Sequence, residues 1–199
     1  MRLRPVADPG AVIAAEIANN HLAQTKGRIA AIRATAADTA VMFGPQPVNA
    51  QVWSKTRPDT QPGLTWQPHQ VWSSCDGTLA LVKGAWQRGD GKTGYFAKVW
   101  QRQQDGGYKW VLEQSDMLEQ PLAPPEMIEA TVADCAGDST PIAAPALPPG
   151  GVEGGGQSTD RSLYYRYVVA PSGDRTLTVS VRRDGVMHEV LRSIVHEGR

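Results

Sequence analysis

Residues 93–116 read TGYFAKVWQRQQDGGYKWVLEQSD: two runs dense in aromatic and β-branched side chains, 93–103 and 107–116, around one Asp-Gly-Gly break. A break of that length between such runs is a hairpin turn, because glycine supplies the backbone freedom a tight reversal needs. Along YFAKVWQR, alternation places Tyr95, Ala97, Val99 and Gln101 on one face and Phe96, Lys98, Trp100 and Arg102 on the other. Neither face is polar throughout. The strand is therefore covered on both sides, by helices or a pocket on one and by a partner subunit or the C-terminal tail on the other. Lys98 and Arg102 flank Trp100 and are expected to lay their stems over its ring with their charges in solvent.

Two further turn signals, SCDGT at 74–78 and RGDGKTG at 88–94, cut upstream runs at 64–74 and 78–88. Four runs joined by three short turns make an antiparallel meander, and runs of about ten residues imply a twisted, bent sheet. Trp72, Trp86, Trp100 and Trp110 fall one to a strand and are expected to form a cross-strand cluster.

Further upstream the pattern is helical. Asp8 precedes Pro9, which suits an N-cap followed by proline in the first turn, and Ile13, Ile17 and His21 recur at steps of four, predicting a helix over about 9–24. TKGRIAAIRATAADTAVMF restarts the pattern with Ile29 and Ile32 and runs into a short apolar strand at 41–43. Prolines at 45, 47, 58 and 62 leave room for one short helix, NAQVWSK, capped by Asn49 and carrying Trp53. Downstream, 119–159 is rich in proline and glycine and reads as an extended connection, with a short strand near 128–132 and a flexible GVEGGG stretch. RSLYYRYVV, APSGDR and TLTVSVRRDG then give strand, turn, strand; VMHEVLRSIV fits a helix or a third strand, and the Asp-Gly turn before it favours the strand.

Bulk properties narrow the function. With 20 basic and 20 acidic side chains in 199 residues, the chain has no net field to draw nucleic acid or an anionic membrane. No apolar run approaches the ~20 residues that span a bilayer. MRLRPVADPG has two arginines without an apolar segment behind them, so it is not a complete secretory signal; the protein is cytoplasmic, or its true start lies upstream. Cys75 and Cys135 have no C-x-x-C context, and their spacing leaves both free thiols and a disulfide open. The phosphate-loop, dinucleotide, nucleophile-elbow and HExxH patterns are all missing, and no cofactor or metal is expected.

The order of helices, short helix and four-stranded meander resembles the nuclear-transport-factor-2-like superfamily. GYFAKVWQRQQDGGYKWVLEQSD is similar to the closing hairpin of its uncharacterised SnoaL-like branch, where a strand ending in W-x-R precedes a D-G turn and a W-x-V/I-L-D/E strand. AVMFGPQPVNAQVWSK and WQPHQVWSSCDGTLALVKGAWQ sit where that branch has its strand, short helix and next hairpin. The resemblance covers about residues 10–118. It implies an α+β, cystatin-like cone at 8–118, with N-terminal helices packed on a bent antiparallel sheet, then the connection at 119–159 and a β extension at 160–199. It also implies a pocket between the long helix and the concave sheet. Trp53, Trp66, Tyr95 and Trp100 are the side chains expected to line it, around a small apolar molecule. An assembly role, with the outer sheet face as a homodimer interface, stands beside that reading. The alternative is a cofactor-independent isomerase, dehydratase or cyclase, for which His21, His69 and Asp116 are the acid–base candidates. Bacterial relatives with a cysteine after the meander imply a Cys75–Cys135 disulfide, and with it a periplasmic or secreted setting.

Overall fold

The computed structural model describes residues 6–59 and 63–198. Helix α1 (Pro9–Lys26) starts at Asp8, whose carboxylate accepts from Ala11 N at 3.0 Å, with proline in the first turn. Gly27, at φ 92°, breaks it from α2 (Arg28–Thr35). Strand β1 (Ala36–Phe43) follows, then β2 (Pro47–Asn49) and the short α3 (Ala50–Lys55), capped by Asn49 through Val52 N at 2.9 Å. The meander is β3 (Leu64–Ser73), β4 (Leu79–Arg88), β5 (Thr93–Arg102) and β6 (Tyr108–Leu118), antiparallel throughout. After it come β7 (Glu129–Val132), β8 (Val152–Gln157), β9 (Leu163–Val169), β10 (Arg175–Arg183) and β11 (Val186–Val195). The segment that fitted helix or strand is thus a strand.

These strands form two sheets, a seven-stranded one in the order β2-β1-β6-β5-β4-β3-β7 and a four-stranded one in the order β11-β10-β9-β8. The expected α+β cone on an antiparallel sheet is corrected. Strand makes up 46% of the described residues against 17% helix, the larger sheet is mixed, and a second sheet stands beside it. The mixed character comes from the sheet's two flanks, where β1 runs parallel to β6 and β7 parallel to β3. The second sheet is larger than expected because GVEGGG is not a linker but strand β8, paired with β9 from Val152 to Gln157. Glycine is required there by close approach: a Cβ on Gly154 would lie 2.3 Å from the Tyr167 hydroxyl, so the tyrosine has room only because the strand has no side chain at that point.

The helices cover one face of the large sheet and the C-terminal sheet covers the other. On the helix side lie Phe96, Lys98 and Trp100; on the opposite side Gln114 and Tyr95 both reach Ser193 of β11. The second cover of the β5 strand is therefore the tail and not a partner subunit. The tryptophans also sort differently from expectation. Trp66 lies opposite Trp86 and Trp100 opposite Trp110, while Trp72 lies opposite Leu81 on the other face. A register shift between Pro68 and Gln70 exchanges the faces within β3. Cys75, in the β3–β4 turn, and Cys135, just after β7, are joined by a disulfide with Cα atoms 5.1 Å apart. Among the described residues, no helix is long and apolar enough to cross a membrane.

Candidate functional site

On α1 the buried positions are Val12, Glu16, Asn19 and Ala23, one helical stripe with two polar residues in it. Glu16 is fully buried, and Lys98 on β5 retains 3% of its side-chain exposure. Their ion pair closes at 2.9 Å. The Glu16 carboxylate also accepts from Trp66 Nε1 at 2.6 Å and from Trp100 Nε1 at 2.7 Å, so both of its oxygens are occupied. Lys98 reaches a second carboxylate, Glu113 on β6, at 3.4 Å, and Glu113 in turn pairs with Arg28 of α2 at 2.7 Å. The result is a four-membered chain of alternating charge, Glu16–Lys98–Glu113–Arg28, running from the core outward. Taking such charges out of water is costly unless each is paired and hydrogen-bonded, and here each is. The expectation that Lys98 holds its charge in solvent is thereby corrected. Its ammonium lies inward, 5.0 Å from the Trp66 ring centroid and 5.3 Å from that of Phe96.

Desolvation alone would raise the pKa of Glu113. The Lys98 ammonium and the Arg28 guanidinium outweigh it and hold the group below its ordinary value, so Glu113 is a carboxylate at neutral pH.

Above this chain, between α1, α2 and the sheet, lies a cavity of about 540 Å³, within the ~300–1,000 Å³ typical of small-molecule sites. Its walls include Trp66, Trp86, Phe96 and Trp110, and Lys98, Glu113 and Arg28 provide its charged floor. Arg175, His196 and Glu197, contributed by the C-terminal sheet and the residues after it, close the rim beside Asp116. Donors exceed acceptors at the floor. Both oxygens of Glu16 and of Glu113 are engaged, whereas Arg28 uses one nitrogen and remains 39% exposed.

Of the four side chains expected to line the cavity, Trp66 does so. Trp100 is buried beneath it on Glu16, Tyr95 faces the other sheet and bonds Ser193, and Trp53 sits on α3 under the Arg57 guanidinium. Among the acid–base candidates, Asp116 is at the rim, where its carboxylate accepts from Met117 N at 2.8 Å. His21 is exposed. Its helix is rotated relative to the apolar stripe Ile13–Ile17–His21, because the buried stripe carries Glu16 and Asn19, and Ile17 is 50% exposed. His69 is buried in β3, away from this cavity, with Gln67 Nε2 at 3.4 Å from its Nε2. Sequence reading missed Glu16, Glu113 and Arg28. The available signal was a glutamate four residues after Val12, in a run, 11–18, that is otherwise apolar.

Burial, and then the nearby Lys83 charge, lower the His69 pKa from 6.5. The folded state thus prefers the neutral ring, so stability is fully present above the unfolded pKa of about 6.5 and is lost as pH falls through the lower folded value. Urea melts of the wild type and of His69→Gln from pH 7.5 down to 5 are expected to diverge below about 6.5, the wild type losing more.

Among the described residues, no cluster of three or more His, Cys, Asp or Glu side chains is placed to hold a metal ion. No protein-family model matches the chain. No curated protein matches it either. Among solved structures it is similar to the crystal structure of a "putative aromatic ring hydroxylase" from Novosphingobium aromaticivorans, at 16% identity and a TM-score of 0.41, covering 58% of this chain and 92% of that one.

Proposed function

We propose that the protein binds a small molecule with an apolar, ring-containing body and a hydrogen-bond-accepting head, in the cavity between the helices and the large sheet. The observation that carries this reading is the composition of the cavity: aromatic walls above a floor whose carboxylates are saturated and whose cations are not. An apolar body is attracted by the desolvation of Trp66, Trp86 and Phe96, and an acceptor group completes the free N–H groups of Arg28. Binding is expected to be of the ready-made kind, because the charge chain holds the floor rigid without a ligand. The Cys75–Cys135 disulfide favours an oxidising compartment such as the periplasm or the cell exterior.

Two dyes that differ in the head group test this. Anilinonaphthalene sulfonate carries both the ring body and an acceptor head; phenylnaphthylamine carries the body alone. The sulfonate is expected to raise the melting temperature of the native protein and to bind at least tenfold more tightly, a difference of about 1.4 kcal/mol. Equal affinity for the two would remove the head-group part of the proposal, and no saturable binding of either would remove the whole.

Cofactor-free proton transfer is the second reading, favoured by one observation, that Lys98 and Glu113 share the cavity floor. Binding is placed first because Glu113, held below its ordinary pKa, is a weak base.

A further inference from the structure

The two meanders correspond strand for strand. In the first, Leu79 lies opposite Gln101 and Val82 opposite Lys98; in the second, Leu163 lies opposite Val181 and Arg166 opposite Thr178. The last hairpin of each carries a register shift at the same place, between Val99 and Trp100 and between Val179 and Ser180. The first turns share a sequence pattern: Ser74-Cys75-Asp76-Gly77-Thr78-Leu79 and Ser158-Thr159-Asp160-Arg161-Ser162-Leu163 both read S-x-D-x-S/T-L. Each has a positive φ at its fourth residue, 68° at Gly77 and 56° at Arg161. In each the first serine donates to the aspartate Oδ1 at 2.7 Å, and the same oxygen accepts the main-chain N–H two residues on.

These matching turns grip one another reciprocally. Asp76 N donates to Asp160 Oδ2 at 3.1 Å, and Asp160 N to Asp76 Oδ2 at 2.9 Å. Cys75 N donates to Ser162 Oγ at 2.8 Å, and Thr159 N to Thr78 Oγ1 at 3.0 Å. Farther along, Gln114 and Ser193 stand at corresponding positions, opposite Ala97 and Leu177, and they bond each other at 2.6 Å. Contacts in which residue i meets j while the equivalent of j meets the equivalent of i are the mark of a two-fold, isologous interface. Here that interface lies inside one chain.

We infer that residues 152–195 are an internal copy of the 64–118 meander and supply, within the chain, the surface that a second subunit would otherwise provide. The protein is therefore a monomer. The face that a partner would need holds Leu81, Val99 and Leu112, all fully buried, and Val179 and Leu177 of the second sheet are buried with them in one core. The copy has not kept the charged floor. Where Lys98 pairs with Glu113 across β5 and β6, Thr178 stands opposite Arg192 across β10 and β11. Among the described residues, the copy thus does not repeat the Lys98–Glu113 pair. The monomer rests on the reciprocal contacts alone and is independent of the binding reading above.

Light scattering on the full oxidised chain after size exclusion is expected to give the chain mass, 21.5 kDa, from low micromolar to about millimolar protein. A species of twice that mass overturns the inference, whatever the outcome of ligand binding. Asp76→Ala and Asp160→Ala provide the second arm. Each is expected to lower the melting temperature by several degrees, within about twofold of the other, and the double variant by less than the sum, since both open the same clasp. One silent and one severe substitution would contradict a two-fold clasp.

Discussion

Glu16→Ala is expected to destabilise the protein by about 3–5 kcal/mol, among the largest losses available to a single substitution in this chain. The substitution leaves Lys98 buried with only the longer 3.4 Å contact to Glu113, and it leaves the indole N–H groups of Trp66 and Trp100 without their acceptor. Lys98→Met acts from the other side and is expected to cost a comparable amount, because Glu16 is then a buried carboxylate facing two neutral donors. The pair Glu16→Ala with Lys98→Met removes both charges together. Its loss is expected to fall short of the summed single losses by about 1–3 kcal/mol, the coupling of the two side chains. Denaturant melts of all four proteins measure this. Losses of about 0.5 kcal/mol or less for the single variants would mean that water reaches the pair and that the cavity floor is not the rigid element described.

Removing the Cys75–Cys135 bridge, by reduction or by Cys75→Ser with Cys135→Ser, is expected to cost about 4 kcal/mol, the chain-entropy value for a loop of this size, with the two residues 60 apart in sequence. The bridge fastens the β3–β4 turn to the segment after β7, and that segment is also held by the second sheet, since Asp134 N donates to Arg182 O at 2.8 Å. Reduction therefore loosens the contact between the sheets at its most constrained corner. Paired thermal melts with and without reductant read the effect. Equal melting temperatures would show that the clasp of Asp76 and Asp160 holds this corner without the bridge.

Much of the meander was legible because its turns are chemically explicit. Each of the three breaks carries a glycine with positive φ, at Gly77, Gly91 and Gly106, and the four runs between them became β3 to β6 within a few residues. The caps at Asp8 and Asn49 were legible for the same reason: a short polar side chain before a helical run has one strong use. What misled was polarity in buried places. Helix α1 turns Glu16 and Asn19 inward, so an apolar stripe pointed to His21 and away from the true inner face. Lys98 looked like a solvated cation because nothing local announces the two glutamates that meet it, one 82 residues before it in sequence. The three glycines of β8 read as flexibility, although their role is to let Tyr165 and Tyr167 lie against the strand. The α+β cone followed from the first 118 residues alone; the tail, which adds β7 to the first sheet and builds the second, changed the class.

The proposed binding site is the aromatic-walled cavity over Glu16–Lys98–Glu113–Arg28, whose free donors would select an acceptor-bearing ligand. Arg28 tests it with least disturbance, being part-exposed at the outer end of the chain. Titrating native wild type and Arg28→Gln with anilinonaphthalene sulfonate, and following tryptophan emission, is the direct measurement. Saturation near one equivalent is expected for wild type, and roughly tenfold weaker binding for Arg28→Gln, whose melting temperature falls only modestly, as expected for loss of one charge-assisted contact. Identical titrations for the two proteins, or the absence of a saturable tryptophan response in wild type, would contradict it.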